Sequence, residues 1–170
     1  MPRPYRPLAL ANYLICWYGY EDGIDHMKLQ KLVYLAHGWW LAYHDDLVVT
    51  ERPQVWRYGP VFPSMYRALS GSGERPIRFP QRETPFGSPP DIDDDDHDVT
   101  GLMDWVWSRY GGYTAIRLSD MTHQPGTPWR VMAERHRFQA PPNLEIPDDI
   151  TKQYFLEVEA RKQGIDEPQR

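Results

Sequence analysis

Residues 26–43 read His-Met-Lys-Leu-Gln-Lys-Leu-Val-Tyr-Leu-Ala-His-Gly-Trp-Trp-Leu-Ala-Tyr, a helix-length stretch that is apolar on nearly every side. A helix with a single apolar stripe lies on a core, whereas one that is apolar all round must be surrounded by it. With 170 residues the chain has room for one such core. Asp25 is the expected N-cap, and Leu32, Leu35, Ala36 and Trp39 are expected to be fully packed, together with Val106 and Tyr154. The nearly apolar run Leu32–Tyr43 is broken by His37 and Gly38 and falls well short of the roughly 20 residues that span a bilayer, so no membrane partner is expected. The polar residues of this helix are ordered: Gln30, His37 and His44 recur every seven residues, with Lys28 and Lys31 to one side. Seven residues is about 10 Å of rise, too far for His37 and His44 to share one metal ion, so packing or hydrogen bonding is the expected role.

Shorter elements surround it. Pro7 opens a helix through Trp17 that Gly19 stops. Leu47-Val48-Val49 and Gln54–Arg57 are expected to pair as two short strands about a turn at Glu51-Arg52-Pro53, with Gly59-Pro60 breaking the pair. This is a β-flap rather than a core. Pro63 opens a third helix through Met65, Tyr66 and Leu69, and residues 70–98 read as a variable, flexible surface loop. Val99, Leu102, Met103, Val106 and Tyr110 then follow helical spacing up to Gly111-Gly112. Short helices are expected over 114–120 and 128–137, and Pro147 opens a last one with Ile150, Tyr154 and Val158 on one face. The fold class is mainly α: a single domain over residues 1–170, built around a central apolar helix. Strands do not alternate with helices as a parallel sheet requires.

The chemistry of most enzyme classes is missing. The lone Cys16 forbids an intrachain disulfide or a cysteine zinc site and fits a reducing cytosol. Arg3 and Arg6 before Leu8–Ala11 imitate a signal peptide without its cleavage site, so a cytoplasmic location is expected. There is no phosphate loop, dinucleotide fingerprint or HExxH helix, and Gly71-Ser72-Gly73 lacks the spacing of a nucleophile elbow. Ser119 and His123, four apart beside Asp120, are the residue pair a hydrolase reading has left. The plainer expectation is a helix end with His123 bonded to nearby backbone. The acidic run Asp91–Asp98 lacks the Gly and Glu of a calcium loop, since counting from Asp93 those positions hold Asp98 and Asp104. Its carboxylates suit the N-terminus of the helix that follows. No catalytic residue, metal or cofactor is expected.

What remains is surface. The net charge is −5 with no dense Lys/Arg face, which disfavours nucleic acid as a partner. Seven Trp and eleven Tyr exceed the needs of one small core. Trp56 and Tyr58 alternate with Val55 and Arg57, and Trp105 lies about 120° off its helix's apolar stripe by the helical period. Trp56, Arg57, Tyr58 and Trp105 are therefore the candidate anchors for a protein partner, with Lys28 and Lys31 as a charged rim.

The segment Met27–Trp39 resembles the central helix of the Panacea family, also called SocA-like or phage-associated proteins. The rest follows in order: Val55-Trp56-Arg57-Tyr58-Gly59-Pro60-Val61 with Pro63 and Tyr66, then Leu118-Ser119, Thr122-His123, Pro128-Trp129 and Ala133, and a closing Ile146-Pro147…Ile150…Tyr154-Phe155. His37 stands where the family often has Gln, and Ser70–Asp98 has no clear counterpart. The resemblance makes Gln30, His37, Trp39, Gly59, Pro60, Thr122, His123, Pro128 and Trp129 motif residues with structural roles. It implies an antitoxin that binds a cognate toxin encoded by a neighbouring gene, as a mask or as an adaptor to a host protease. It implies no catalytic set.

Overall fold

Pro7 opens α1 (Pro7–Tyr18), at a position where a residue without an N–H loses nothing. The chain then enters α2 (His26–His44), in which every residue from Leu29 to Leu41 is buried. There follow β1 (Gln54–Trp56), β2 (Gly59–Val61), α3 (Pro63–Leu69), a 3-10 turn at Ser70–Ser72, α4 (His97–Tyr110), α5 (Ala115–His123), α6 (Pro128–Arg135) and α7 (Asp148–Asp166). The computed structural model describes residues 3–166. Helices α1, α3, α4, α5 and α7 and strand β2 all touch α2. The all-round apolar helix is indeed the one the others enclose.

Two α2 residues show how closely its neighbours approach. A Cβ on Gly38 would overlap the ring of Phe155, so a glycine is what lets α7 seat against α2. Trp39 stands edge-on to Phe155 and Trp105, at 5.0 and 5.6 Å between ring centres, and donates Nε1–H to the Tyr110 hydroxyl at 3.0 Å. Leu32, Leu35, Ala36 and Val106 are buried as expected, but Tyr154 is only half-buried. The inward line of α7 is Thr151 and Phe155, while Ile150, Tyr154 and Val158 flank it. The notch at Gly38 decides which α7 face points inward, and it admits Phe155.

The flap differs from the sequence expectation. Val48 and Val49 are buried, but they meet the N-terminal segment: the Tyr5 N–H bonds the Val48 carbonyl and the Thr50 N–H bonds the Tyr5 carbonyl. The hairpin is β1 with β2, in antiparallel register Gln54↔Val61, Val55↔Pro60 and Trp56↔Gly59, around the two-residue loop Arg57-Tyr58. Gly59 does not break it, because a φ of +113° suits the residue leaving that loop. On its outer side the Val55 N–H bonds the Leu144 carbonyl and the Ile146 N–H bonds the Pro53 carbonyl, so residues 144–146 extend the hairpin. A second apolar cluster of Trp129, Met132, Ala133 and Ile146 sits there.

The segment after α3 is tied down at several points. Ile24 and Ile77 exchange both backbone hydrogen bonds. The buried Asn12 side chain donates to the carbonyls of Gln81 and Pro90 and accepts from the Gln81 N–H. Within the acidic run, Asp96 caps α4 by accepting from the Val99 N–H, and it also receives the Tyr5 hydroxyl and the Arg3 guanidinium. No helix among the described residues is long and apolar enough to cross a membrane.

Candidate functional site

The loop joining β1 to β2 is held by its carbonyls. Trp129 on α6 donates Nε1–H to the Trp56 carbonyl at 2.8 Å, and Ser119 on α5 donates its hydroxyl to the Tyr58 carbonyl at 2.7 Å. Between them, His123 Nε2 lies 3.2 Å from the Arg57 carbonyl. From α2, Lys31 Nζ donates to the Pro60 carbonyl at 3.0 Å. Three motif donors, Trp129, Ser119 and Lys31, thus hold the carbonyls of residues 56, 58 and 60 while the His123 ring faces that of residue 57, and Gln30 Oε1 accepts from the Phe62 N–H one step further on. Gly59 lies in the middle of the grip. A Cβ there would sit 2.7 Å from Thr122 Oγ1 and 2.8 Å from Lys31 Cε.

Local structure explains how these donors are placed. Thr114 and Thr127 cap α5 and α6 by accepting from the backbone N–H of Arg117 and Arg130. Thr127 also donates its hydroxyl to the Thr122 carbonyl, and Thr122 donates to that of Ser119. This threonine relay sets the angle between α5 and α6, and the His123 and Trp129 rings lie 4.0 Å apart between them. Pro128 opens α6 directly before Trp129.

His123 Nδ1 faces the backbone carbonyl of Ser119 at 2.6 Å, not the Ser119 hydroxyl, which is turned toward Tyr58. A neutral imidazole has one N–H for the two carbonyls it faces. In this geometry the pair holds backbone, and a base-to-nucleophile contact of the kind a hydrolase uses is not made.

The clamp leaves the side chains of the loop outside. Arg57 and Tyr58 are exposed, Tyr58 by 56%, and the Arg57 guanidinium lies 5.3 Å from the Tyr58 ring centre. Trp56 is half-buried, with its ring 4.8 Å from Tyr66 and its indole N–H on Gln54. Beside this tip opens a cleft of 610 Å³ whose walls include Met27, Trp56, Tyr58, Val61, Tyr66 and Ile116. Gln30, His26 and Lys31 also line it.

Lys31 is not the rim residue expected from its helical position. It is 1% exposed, and burial alone pushes its ammonium down from the ordinary lysine range to about 7. His26 is pushed down to about 4 by burial and by the Lys31 charge beside it. Lys28 also departs from a rim: it is half-buried, donates to the Gly111 carbonyl at the end of α4 and lies over the Trp107 ring. Trp105 leans on Trp39 and Tyr110, 37% exposed, and lines a different cavity. Of the six candidate partner residues, the fold brings Lys31, Trp56, Arg57 and Tyr58 together.

Sequence reasoning did not find Asp148. His37 is fully buried on α2, and among the described residues neither of its ring nitrogens is hydrogen-bonded; its Nε2 lies 3.7 Å from Asp148 Oδ1, which likewise accepts no hydrogen bond there. Arg52 holds the other Asp148 oxygen at 3.0 Å. Among the described residues no group of three or more His, Cys, Asp or Glu is placed to hold a metal ion.

A family profile described as "Antitoxin SocA-like, Panacea domain" matches residues 29–130. Antitoxin SocA of Caulobacter vibrioides (strain NA1000 / CB15N) is similar throughout, 31% identical over 162 residues that cover 91% of this chain and 84% of that protein. No solved structure matches significantly. The profile match begins one residue before Gln30 and ends one after Trp129, so it encloses every donor and acceptor of the clamp.

Proposed function

The chain belongs to the SocA-like antitoxin family with a Panacea domain, and from that premise we propose that it neutralises a cognate toxin protein by binding it directly through the tip Trp56-Arg57-Tyr58. The observation that carries this reading is the contrast at the hairpin: the backbone carbonyls of residues 56–58 face polar side chains of α5 and α6, while the Arg57 and Tyr58 side chains stand in solvent. A docking loop fixed before its partner arrives has less disorder to lose on binding. Tyr, Trp and Arg are the residues that dominate protein–protein hot spots, and a standard interface needs about 800 Å² per partner, which one domain of this size supplies.

The partner is a toxin encoded beside this gene, and the protein acts on it as a mask or as an adaptor that hands it to a host protease. Co-expression of the neighbouring gene product in a sensitive host tests the reading. The expected outcome is killing by that product alone and growth when both are present. A product that is harmless alone, or that kills equally in both cases, ends the antitoxin reading. Rescue that depends on a host protease selects the adaptor over the mask.

A further inference from the structure

We propose that the cleft beside the hairpin receives an acidic residue flanked by an aromatic or aliphatic one on the toxin, with the Lys31 ammonium meeting the carboxylate and the cleft walls holding the apolar neighbour. The inference rests on the antitoxin reading and deepens it by giving the partner's chemistry.

Three observations lead there. The cleft's 610 Å³ falls within the roughly 300–1,000 Å³ typical of pockets that enclose a compact ligand, and its walls are mainly aromatic and aliphatic. At its lining is a cation that the fold has desolvated without pairing. Lys31 is 1% exposed, and among the described residues no carboxylate lies within ion-pair distance of it. Among the described residues its single hydrogen bond goes to the Pro60 carbonyl. An ammonium carries three N–H groups, so two are left for a ligand. Buried cations are ordinarily paired, because the cost of desolvation is otherwise uncompensated. The third observation is continuity: Trp56, Arg57 and Tyr58 belong both to the exposed tip and to the cleft wall. A protein docked on the tip covers the cleft mouth, which favours a segment of that protein over a free molecule as the occupant.

The other charged or titratable groups lining the cleft are Asp25 and His26 at the start of α2, Arg57 and Tyr58 on the hairpin, Tyr66 on α3, and Glu74 beyond the 3-10 turn. Neither acid lies within ion-pair distance of Lys31. His26 receives the Gln30 amide on Nε2, so its proton sits on Nδ1, a further donor without a partner among the described residues.

Three probes that share an indole body and differ in charge test the cleft on the full chain by calorimetry: indole-3-acetate, indole-3-acetamide and tryptamine. The acetate is expected to bind at least about tenfold more tightly than the amide near pH 6.5, with tryptamine weakest. The Lys31→Met variant should bind acetate and amide alike. The parent supplies the same test without a substitution, because the preference should fade as pH rises above 7 and Lys31 gives up its proton. Equal binding of acetate and amide, no binding of either, or a preference that survives both Lys31→Met and high pH overturns the proposal. A second arm asks whether saturating indole-3-acetate weakens the complex with the toxin identified by rescue. It should; a Lys31-dependent acetate site that leaves that complex untouched belongs to a free small anion and overturns the toxin as occupant. Failure of rescue with the acetate preference intact ends the antitoxin reading, and the toxin as occupant with it, while Lys31 remains an anion receptor.

Discussion

Lys31 Nζ lies 3.0 Å from the Pro60 carbonyl oxygen, so a buried ammonium holds the strand residue that has no N–H of its own to give the ladder. The contact carries a pH signature. Folded Lys31 loses its proton near pH 7, whereas a lysine in the unfolded chain does so near 10.4. Between those values the unfolded state binds more protons, so this group makes stability rise with pH across that window, and the penalty for burying the charge is fully present below it. Lys31→Met has no such window. The unfolding free energy of the parent, measured against Lys31→Met, should gain about 3–5 kcal/mol between pH 6 and pH 10. A constant difference between the two proteins would show that Lys31 is not desolvated in the fold.

Gly59 and Gly101 predict opposite responses to the same substitution. Gly59 has a φ of +113°, and its missing Cβ is the space that Thr122 and Lys31 occupy. Gly59→Ala should destabilise by more than about 1 kcal/mol and loosen the hairpin. Gly101 lies exposed inside α4, with no atom of the described residues near its Cβ position. Gly101→Ala should therefore stabilise by roughly 0.5–1 kcal/mol, as expected for alanine in a helix interior. Denaturant titration of the two variants measures both.

The residues that were legible in the sequence are those whose role is set by their own element. The all-round apolar pattern of His26–Tyr43 could be satisfied only by enclosure, and α2 is enclosed. Val48 and Val49 carry a β pattern that suits half of a hairpin, but a β pattern does not name its partner; Tyr5, more than forty residues away, takes that place. Gly59 and Pro60 carry the letters of a chain break, yet a positive φ after a two-residue loop and an N–H-free strand residue are what β2 needs. The clamp was illegible for a deeper reason. Trp129 to Trp56, Ser119 to Tyr58 and Lys31 to Pro60 are side chain-to-carbonyl bonds, and any residue has a carbonyl. The family resemblance marks the donors without saying what they hold, and the helical position of Lys31 alone does not show that the hairpin covers it.

His37 predicts a weakness on the acid side. Burial holds its imidazole well below the ordinary histidine range, against the opposing pull of Asp148. The folded state therefore keeps His37 neutral while the unfolded chain protonates it below about pH 6.5, and stability is lost as pH falls through that range. His26 contributes in the same direction. His37→Gln removes one of the two groups, so the loss of stability between pH 6.5 and pH 4 should become shallower. Chemical denaturation at three pH values across the range reads the slope. An unchanged slope would mean that Asp148 moves in to pair with a protonated His37.

The tip predicts a division among the aromatic residues. Tyr58 is 56% exposed and the fold holds it through its carbonyl, so Tyr58→Ala should change folding stability by no more than about 0.5 kcal/mol. If the tip anchors the toxin, the same substitution should weaken the complex by about 2 kcal/mol, close to thirtyfold. Trp56→Ala should weaken binding comparably, but it also removes a ring packed on Tyr66, so its melting temperature must be measured alongside. Trp105 supplies the contrast. It leans edge-on against Trp39 and lines another cavity, so Trp105→Ala should lower stability and leave toxin affinity within about threefold. Binding lost through Trp105→Ala and kept through Tyr58→Ala would move the docking surface from the hairpin to the face that α4 shares with the end of α2.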